Sequence, residues 1–323
     1  MGAIPLVRIR EGVGLSVNAF AVVGMGVQGN KRRRILAGAP CVTVDPVVHG
    51  VDFKDIREVP LGDYNVAYLC IPDHIKFEAV RYLVEHGKHV LVEKPFTLRD
   101  DQYDDIQRRQ SVTGSTVYVA YNHRFEPHIA ATKKLLDSRA IGDIYTVSLS
   151  YGNGTAALVK DSEWRDRGLG VVSDLGSHLL DMVDYWWGLQ EREVEFIDAR
   201  AVENLAYDFA LCRLTGTPPV WAETTLLSWR NDFQCQIRGS EGSLHISGLC
   251  KWGPAELTLR KRIFPSGRPL EEITTLSMPD PTWDAEHDHF LHLIASRQAG
   301  NLAVSREISR LLHSLELSLA DVK

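Results

Sequence analysis

The sequence predicts an α/β protein with a doubly wound parallel sheet, followed by an α+β domain with a large, mostly antiparallel open sheet. A chain of 323 residues exceeds what a single core normally holds. Up to about residue 120, short apolar strands alternate with helical segments, which is typical of a parallel sheet. After a helix at about 174–187, strands follow one another between turn residues, which favours antiparallel pairing. We therefore expect two domains, at 1–120 and 121–323.

The composition excludes several classes of protein. Hydrophobic residues make up 44% of the chain and charged residues 24%, close to the averages of globular proteins. The net charge of -6 gives no general attraction for nucleic acid. The one dense basic run, Lys31–Arg34, is expected to form a solvated helix face. We therefore expect no nucleic-acid partner.

The cysteines and the apolar runs indicate in which cellular compartment the protein is found. The 5 cysteines are scattered and include no CxxC pair, so they favour neither a disulfide framework nor a zinc site. Arg8 and Arg10 interrupt the apolar stretch at the N-terminus, and no apolar run approaches the roughly 20 residues that span a bilayer. We expect a cytoplasmic protein that neither crosses nor binds membranes.

A glycine-rich turn, Gly24–Gly29, follows a buried strand at 17–23 and opens a helix. Its GMGVQG sequence fits the GxGxxG pattern, in which glycines permit a tight turn and let a pyrophosphate approach the helix N-terminus. Asp45 follows the second strand, where a carboxylate can bind the adenosine ribose and repel a 2′-phosphate. The pattern predicts a dinucleotide-binding Rossmann domain at 1–120 that prefers NAD. Because Lys31 and Arg32 lie near the turn, NADP is kept as an alternative.

A lysine follows the fourth predicted strand. The strand ending in Leu91-Val92 runs into Glu93-Lys94-Pro95. The carboxyl ends of parallel strands border the crevice in which open α/β sheets bind ligands. There the Lys94 ammonium could hold a substrate oxygen and stabilise its negative charge as hydride leaves. On its own, a lysine before proline at the end of a strand is more often an ordinary surface residue.

The predicted helix at 174–187 carries a histidine between two carboxylates. Asp174, His178 and Asp181 are spaced i, i+4 and i+7, so they share one helical face. A carboxylate one turn from a histidine can fix the orientation of the ring and raise its basicity, which suits a general base. The alternative is a polar helix face with a capping aspartate.

Together these motifs make the chain resemble the Gfo/Idh/MocA oxidoreductases over nearly all of its length. The matching features, in chain order, are the VVGMGVQG turn, Pro72, Glu93-Lys94-Pro95, Tyr121-Asn122-His123-Arg124-Phe125, the D-x-G-x-H-x-x-D helix, and the glycine turn Arg238–Leu244. The resemblance implies NAD(P)-dependent hydride transfer to or from a secondary alcohol of a sugar, cyclitol or nucleotide sugar. It also implies that Lys94 contacts the substrate, that His178 is the acid/base, and that Asp174 binds the substrate or orients His178. Asp181 would be structural support.

Two sets of binding residues are predicted on this basis. The cofactor contacts are Gly24, Gly26, Val27, Gln28, Gly29, Asp45, Ile71, Pro72, His74, Glu93 and Lys94. The substrate contacts are Lys94, Asn122, Arg124, Trp164, Arg165, Asp174 and His178. For Asn122, Arg124, Trp164 and Arg165, a packing or salt-bridge role is an equal alternative. The chain departs from the family pattern after Asp45, where the helix before the strand at Val66 is expected to be shortened or missing.

Three other functions are alternatives to a sugar or cyclitol dehydrogenase. An NAD-using glycosidase would share the fold and cofactor, and a non-catalytic dinucleotide sensor would bind the cofactor and regulate a partner protein. His287, His289 and His292 suggest a zinc hydrolase, but 287 and 289 point to different faces of a helix, so we expect no metal. The expected partners are a small sugar-like substrate and further copies of the chain. A homodimer or homotetramer could bury Trp221, Leu227 and Trp229 of the large sheet.

Overall fold

The computed structural model of the chain describes residues 18–160, 162 and 165–320. Trp164 and the N-terminal residues considered for a targeting signal lie outside this range, so the expectations about them stay predictions. Within it, a parallel sheet is followed by a larger, mostly antiparallel sheet, which confirms the predicted fold class. No helix in this range is both long enough and apolar enough to cross a membrane.

The first sheet has five parallel strands in the order β2-β1-β3-β4-β5. The strands are β1 Phe20–Val23, β2 Cys41–Val44, β3 Val66–Leu69, β4 His89–Glu93 and β5 Val117–Ala120. The helices that alternate with them are α1 Val27–Ile35, α2 Asp73–Glu85 and α3 Asp100–Thr113. All residues of β1, β3 and β5 are buried, as expected for apolar runs covered on both faces.

The strand order reverses between β1 and β3, because β2 lies on one side of β1 and the later strands on the other. Open α/β sheets bind their ligands at such a switch point, beyond the carboxyl ends of the strands. Gly24 follows β1 and Ile71 lies just beyond β3, so both border this crevice. Between β2 and β3 the structure has only a 3-10 turn, Ile56–Glu58, which confirms the predicted loss of a helix there.

The second sheet has eight strands in the order β13-β12-β11-β10-β6-β9-β8-β7. All neighbouring pairs are antiparallel except β6 with β9. The strands are β6 Ile144–Gly152, β7 Val194–Arg200, β8 Phe209–Leu214, β9 Val220–Thr225, β10 Asp232–Gly239, β11 Gly242–Ser247, β12 Ala255–Lys261 and β13 Leu270–Leu276.

Five further helices surround the two sheets. They are α4 Pro127–Asp137, α5 Ala156–Val159, α6 Ser177–Trp187, α7 Thr282–Ala295 and α8 Leu302–Ala320. The last two return to the first sheet, where α7 packs on α1, and α8 packs on α3 and β5. The N–H of Val117 in β5 donates to the carbonyl of Ala299, so the loop between α7 and α8 adds to this edge of the sheet.

The predicted continuous helix at 174–187 is wrong in its first turn. Residues Val172–Gly176 form a π-helical turn, and α6 begins only at Ser177. A π turn has a wider hydrogen-bonded ring than an α-helix, and such turns are frequent at functional sites. Because the spacing of 3.6 residues per turn does not hold here, Asp174 need not share a helical face with His178.

Candidate active site

The glycine turn has the shape that a pyrophosphate needs. Gly24 has φ of +88°, and a Cβ atom there would lie 2.2 Å from the carbonyl oxygen of Cys70. A Cβ atom on Gly29 would lie 1.8 Å from the carbonyl oxygen of Gly24, so only glycine lets α1 pack this close to the turn. At Gly26, by contrast, a Cβ atom would meet open space, and no side chain caps α1 there. The N-terminus of α1 therefore fits an anionic ligand.

Asp45 lies beneath this turn. Its Oδ2 accepts a hydrogen bond from the N–H of Met25 at 2.7 Å, and its Oδ1 accepts from Val47 and Val48 at 2.9 and 2.8 Å. Although burial opposes the charge, these three donors hold the pKa of Asp45 below its usual range. A carboxylate offers about four acceptor positions, so one is left for a ribose hydroxyl.

The other predicted cofactor contacts border the same crevice. Ile71 is half-buried beside Gly24, and its Cγ2 lies 3.2 Å from the place of a Gly24 Cβ atom. Pro72 precedes α2, and His74 is exposed in the first turn of that helix. Val27 and Gln28 are exposed in the first turn of α1, and Glu93 ends β4.

The position of Arg32 differs from two expectations, that it belongs to a solvated basic face and that it lies open to a 2′-phosphate, because its side chain is buried. It is 1% exposed, and its guanidinium binds Glu93 at 2.8 Å and Glu286 of α7 at 2.5 Å. It also lies over the ring of Trp283, 4.3 Å from the centroid. The two carboxylates outweigh burial and raise the pKa of Arg32. Two nitrogens of the Arg32 guanidinium are therefore engaged within the protein, and the third, Nη1, is buried without a hydrogen-bond partner among the described residues.

A lysine that the sequence pattern did not single out, Lys76, holds the end of β4. Its Nζ donates to the backbone oxygens of Glu93 and Pro95, both at 2.7 Å, and to the Asp73 carboxylate at 2.6 Å. Lys76 is 2% exposed; burial lowers its pKa, and the Asp73 carboxylate acts in the opposite direction. Lys76 thereby fixes the backbone on both sides of Lys94.

Lys94 reaches from β4 to the π turn of the second domain. Its Nζ donates to the Asp174 carboxylate at 2.7 Å and to the Asp174 carbonyl oxygen at 2.8 Å. The other carboxylate oxygen of Asp174 accepts from Arg165 at 2.7 Å. Burial opposes the charge on Asp174, but the two cations hold its pKa well below the usual range. A cavity of about 230 Å³, lined in part by Pro95, Arg165, Ser173 and Asp174, opens beside this ion pair.

His178 lies in the first turn of α6, and the residue is 6% exposed. Burial, followed by the charges of Lys94 and Lys251, holds the pKa of His178 well below 6.5. The imidazole is therefore uncharged at neutral pH. The carboxylate of Asp174 binds Lys94 and Arg165, and among the described residues it makes no hydrogen bond to His178. This corrects the expectation that Asp174 orients the histidine.

The face of His178 is covered by another histidine, His123. The two rings are stacked with centroids 4.0 Å apart and an angle of 27° between their planes. Burial, then His178 and Lys251, hold the pKa of His123 well below 6.5. The sequence pattern shows Tyr121–Phe125 as a junction motif, but nothing in it indicates which of these residues stacks on His178 of α6.

Two predicted substrate contacts are engaged within the protein. Arg124 forms a buried ion pair with Asp181, with Nε 3.0 Å from Oδ2, and lies 5.4 Å from the ring centroid of Tyr185. The Nδ2 atom of Asn122 donates to Thr282 at 2.6 Å. Arg124 and Asn122 thus make contacts of the kind that the sequence left as alternatives, and Asp181 pairs with Arg124, while their roles towards a substrate stay predictions.

The histidines of α7 do not converge. The Nδ1 atom of His287 lies 2.5 Å from the hydroxyl oxygen of Tyr68, whereas His289 packs against the ring of Tyr118. In the part of the chain that the structure describes, no three potential metal-ligating side chains cluster.

The arrangement defines a class of protein: a dinucleotide-binding sheet whose ligand edge meets a lysine and a neutral histidine. Comparison with known families agrees with this class. Residues 42–121 match the family described as "Oxidoreductase family, NAD-binding Rossmann fold", and residues 129–245 match the "GFO/IDH/MocA C-terminal domain". The chain belongs to the Gfo/Idh/MocA family of oxidoreductases and carries its NAD-binding Rossmann domain.

Similar proteins include dehydrogenases of cyclitols and sugars. The chain is 27% identical to scyllo-inositol 2-dehydrogenase (NADP(+)) IolW of Bacillus subtilis over 44% of its own length and 39% of that protein. It is 21% identical to inositol 2-dehydrogenase of Rhizobium meliloti, over 68% of this chain and 69% of that one. A solved structure of levoglucosan dehydrogenase in complex with NADH shares the fold, with a TM-score of 0.79, 19% identity and coverage of 94% of this chain and 97% of that chain.

Proposed function

We propose that the protein is an NAD-dependent dehydrogenase that oxidises a secondary alcohol of a sugar or cyclitol, or reduces the corresponding ketone. The single observation that supports this most strongly is the approach of two groups from different domains. The ammonium of Lys94, at the ligand edge of the first sheet, binds the carbonyl and carboxylate oxygens of Asp174 in the π turn that leads into α6, and its charge helps to hold the pKa of His178 low. A proton donor and a neutral proton acceptor beside a dinucleotide crevice are the groups that alcohol oxidation needs.

In the proposed reaction, His178 accepts the hydroxyl proton while the C–H bond of the same carbon breaks and its electron pair leaves as hydride. Lys94 donates a hydrogen bond to the alcohol oxygen and stabilises its negative charge until the C=O bond forms. The nicotinamide supplies the hydride acceptor when it is bound. In the reverse direction His178 returns the proton. Asp174 keeps the Lys94 ammonium in place, and Arg165 balances the charge of Asp174.

The preference for NAD is proposed from Asp45 and Arg32. The carboxylate of Asp45 is ionised under the glycine turn, where it would repel a 2′-phosphate. Arg32 cannot compensate, since Glu93 and Glu286 already bind it. The N–H groups at the start of α1 would hold the pyrophosphate.

A polyhydroxylated substrate is proposed because relatives in the family are named for inositol and levoglucosan. The cavity that borders Asp174, the partner of Lys94, is also lined by the hydrogen-bonding side chains of Arg165 and Ser173. A homodimer or homotetramer is proposed as the assembly, since Trp221 and Trp229 are exposed by 36% and 71%. A sedimentation mass of 36.2 kDa would reject it. The free thiols of all five cysteines support a reducing, cytoplasmic location.

A substrate screen tests this function. Inositols, levoglucosan, free sugars and nucleotide sugars are incubated with NAD or NADP, and reduced nicotinamide is followed by its absorbance. We expect NAD-linked turnover of a cyclitol or sugar, and a loss of about 10²- to 10⁴-fold in His178→Ala. His86→Ala, an exposed histidine at the end of α2, serves as the matched control and should keep full activity. Equal rates in wild type and His178→Ala would remove the proposed mechanism.

A further inference from the structure

A second lysine, Lys251, lies behind the histidine of the proposed active site. It belongs to the 3-10 turn Cys250–Trp252 that follows β11. Its Nζ lies 3.4 Å from Nε2 of His123 and 3.3 Å from the carboxylate of Asp280, and the side chain is only 16% exposed. His123 in turn is stacked on His178. Lys251, His123 and His178 therefore form a contiguous group, of which the proposed reaction uses only His178.

This group is held by buried contacts on two sides. The carboxylate of Glu126, which is fully buried, accepts from the N–H of Cys250 at 3.0 Å and from the N–H of His128 at 2.8 Å. Glu126, which lies three residues after His123, therefore joins the turn that carries Lys251 to the start of α4. On the other side, Asp280 accepts from both the N–H and the hydroxyl of Thr282, at 3.0 and 2.6 Å. Lys251 is thus presented to His123 from a fixed backbone, unlike a flexible surface lysine.

We propose that His123 and Lys251 form a positioning pair for His178, in which His123 supports the face of the imidazole and the Lys251 ammonium disfavours a proton on either ring. The inference rests on the proposed function, in which His178 must be uncharged to accept a hydroxyl proton. His123 and Lys251 would act on the reaction through His178, and neither of them needs to contact the substrate.

The surroundings of His178 support the electrostatic half of this proposal. The charged or titratable groups around it are Lys94 after β4, Tyr121 and His123 after β5, Tyr151 from β6, Lys251 after β11 and Asp174 from the π turn. The one carboxylate in this set, Asp174, is already neutralised by Lys94 and Arg165. Asp280 lies on the far side of Lys251 and offsets part of its charge. A protonated His178 therefore lacks an adjacent unpaired anion among the described residues.

The hydrogen-bond pattern of the His123 and His178 rings also favours their uncharged forms. The Nδ1 atoms of His123 and His178 are both buried and have no partner in the described part of the chain. Because the Lys251 ammonium can only donate, Nε2 of His123 is the acceptor, and a second proton on this ring would break that hydrogen bond. Because the rings lie face to face, a proton on one would also repel a proton on the other. The stack therefore disfavours a resting proton on His178, so the imidazolium formed in the proposed reaction releases its proton readily.

The electrostatic half is tested by titration without any substrate. Ring-labelled histidines are followed by NMR, and the His178 signal is assigned by its loss in His178→Gln. We expect the pKa of His178 to rise by about half a unit to one unit in Lys251→Met, because one nearby positive charge is lost. Lys251→Arg keeps the charge and should keep the wild-type pKa. Lys133→Met, which removes a lysine paired with Asp137 on α4, is the matched control and should also leave it unchanged.

The outcome that overturns this half is a His178 pKa that is the same in wild type and Lys251→Met. The acid limb of kcat/KM against pH should move with the NMR value in each variant. Since the titration needs no turnover, it tests the role of Lys251 separately from the proposed function. Full activity in His178→Ala would reject the proposed function, whereas an unmoved pKa would reject the role of Lys251.

The stacking half is tested with two variants of His123. His123→Phe keeps a flat ring against His178, whereas His123→Ala removes the support. We expect kcat to fall about tenfold or more in His123→Ala with little change in KM, and much less in His123→Phe. A direct substrate contact by His123 would instead raise KM in both variants, and that result would overturn the proposal. Thermal unfolding of each variant establishes that the comparison is made between folded proteins, and Lys251→Met provides the test if His123→Ala does not fold.

Discussion

Lys94 and Asp174 form an ion pair of 2.7 Å that joins the end of a parallel strand to a π-helical turn of the second domain. Lys94 also donates to the backbone oxygen of Asp174, so the ammonium is held by two atoms of one residue. Because Arg165 binds the other carboxylate oxygen, the two cations share one anion. The ammonium can therefore turn towards a substrate oxygen without leaving Asp174 unpaired.

The first prediction concerns this ion pair. We expect Asp174→Asn to lower kcat/KM about 100-fold, because the ammonium loses its anchor and small misplacements in an active site are costly. Steady-state kinetics with the substrate found in the screen give the value. Asp137→Asn, which breaks an ion pair with Lys133 on α4, should stay within twofold of wild type, about 0.4 kcal/mol. Wild-type kcat/KM in Asp174→Asn would contradict the role of the pair.

The second prediction separates two glycines of the same turn. In Gly26→Ala the new Cβ atom meets open space and φ is -72°, so the fold should be kept while the approach of a pyrophosphate is obstructed. In Gly29→Ala the Cβ atom would meet the Gly24 carbonyl at 1.8 Å, so α1 must shift. We expect weaker NADH binding with an unchanged Tm for Gly26→Ala, and a lowered Tm for Gly29→Ala. Fluorescence titration with NADH and thermal unfolding test both. Equal NADH affinity in Gly26→Ala and wild type would show that the cofactor lies elsewhere.

The third prediction concerns the buried arginine of α1. Arg32→Met leaves Glu286 and Glu93 without their cation, and breaking a buried ion pair typically costs about 3–5 kcal/mol. The free energy of unfolding in urea should fall by about this amount, while Arg33→Met, at an exposed position, should show little change. The ratio of NAD to NADP activity should not change in either variant. A loss of NADP activity alone in Arg32→Met would show that Arg32 binds a phosphate after all.

The fourth prediction uses the carboxyl group of Glu286. Burial raises its pKa to about 7, with Arg32 acting in the opposite direction. In the unfolded chain a glutamate titrates near 4.3, so the folded protein binds the additional proton between these values. The resulting stability is present at low pH and is lost as the pH rises through 7. Relative to Glu286→Gln, wild type should therefore gain about 2–4 kcal/mol of unfolding free energy between pH 8 and pH 5. A difference that is independent of pH would contradict the raised pKa.

Much of the fold was predictable from local patterns. Buried strands such as β1 and β3 are continuous apolar runs, and the glycines after β1 follow from steric demands that involve neighbouring residues. The missing helix after Asp45 was also predictable, since too few residues separate it from the next strand. These features depend on contacts within one element or between adjacent elements.

The errors have a common physical cause in long-range contacts. Arg32 lies in a basic run, and its burial depends on Glu286, which is 254 positions away in the chain. Asp174 was assigned to an α-helical face, whereas tertiary contacts with Lys94 and Arg165 accompany a π turn there. The stack of His123 on His178 likewise joins segments that the sequence does not show to be neighbours.

The central claim is that Lys94 and His178 act on the same alcohol oxygen, and a double-mutant cycle on hydride transfer tests it most directly. The rate constant kcat/KM is measured for wild type, Lys94→Met, His178→Ala and the double variant, with a deuterated substrate to establish that hydride transfer limits the rate. We predict that the double variant is little slower than the slower single variant, because groups that act as a unit have strongly non-additive effects. A double variant whose loss equals the product of the two single losses would contradict the claim.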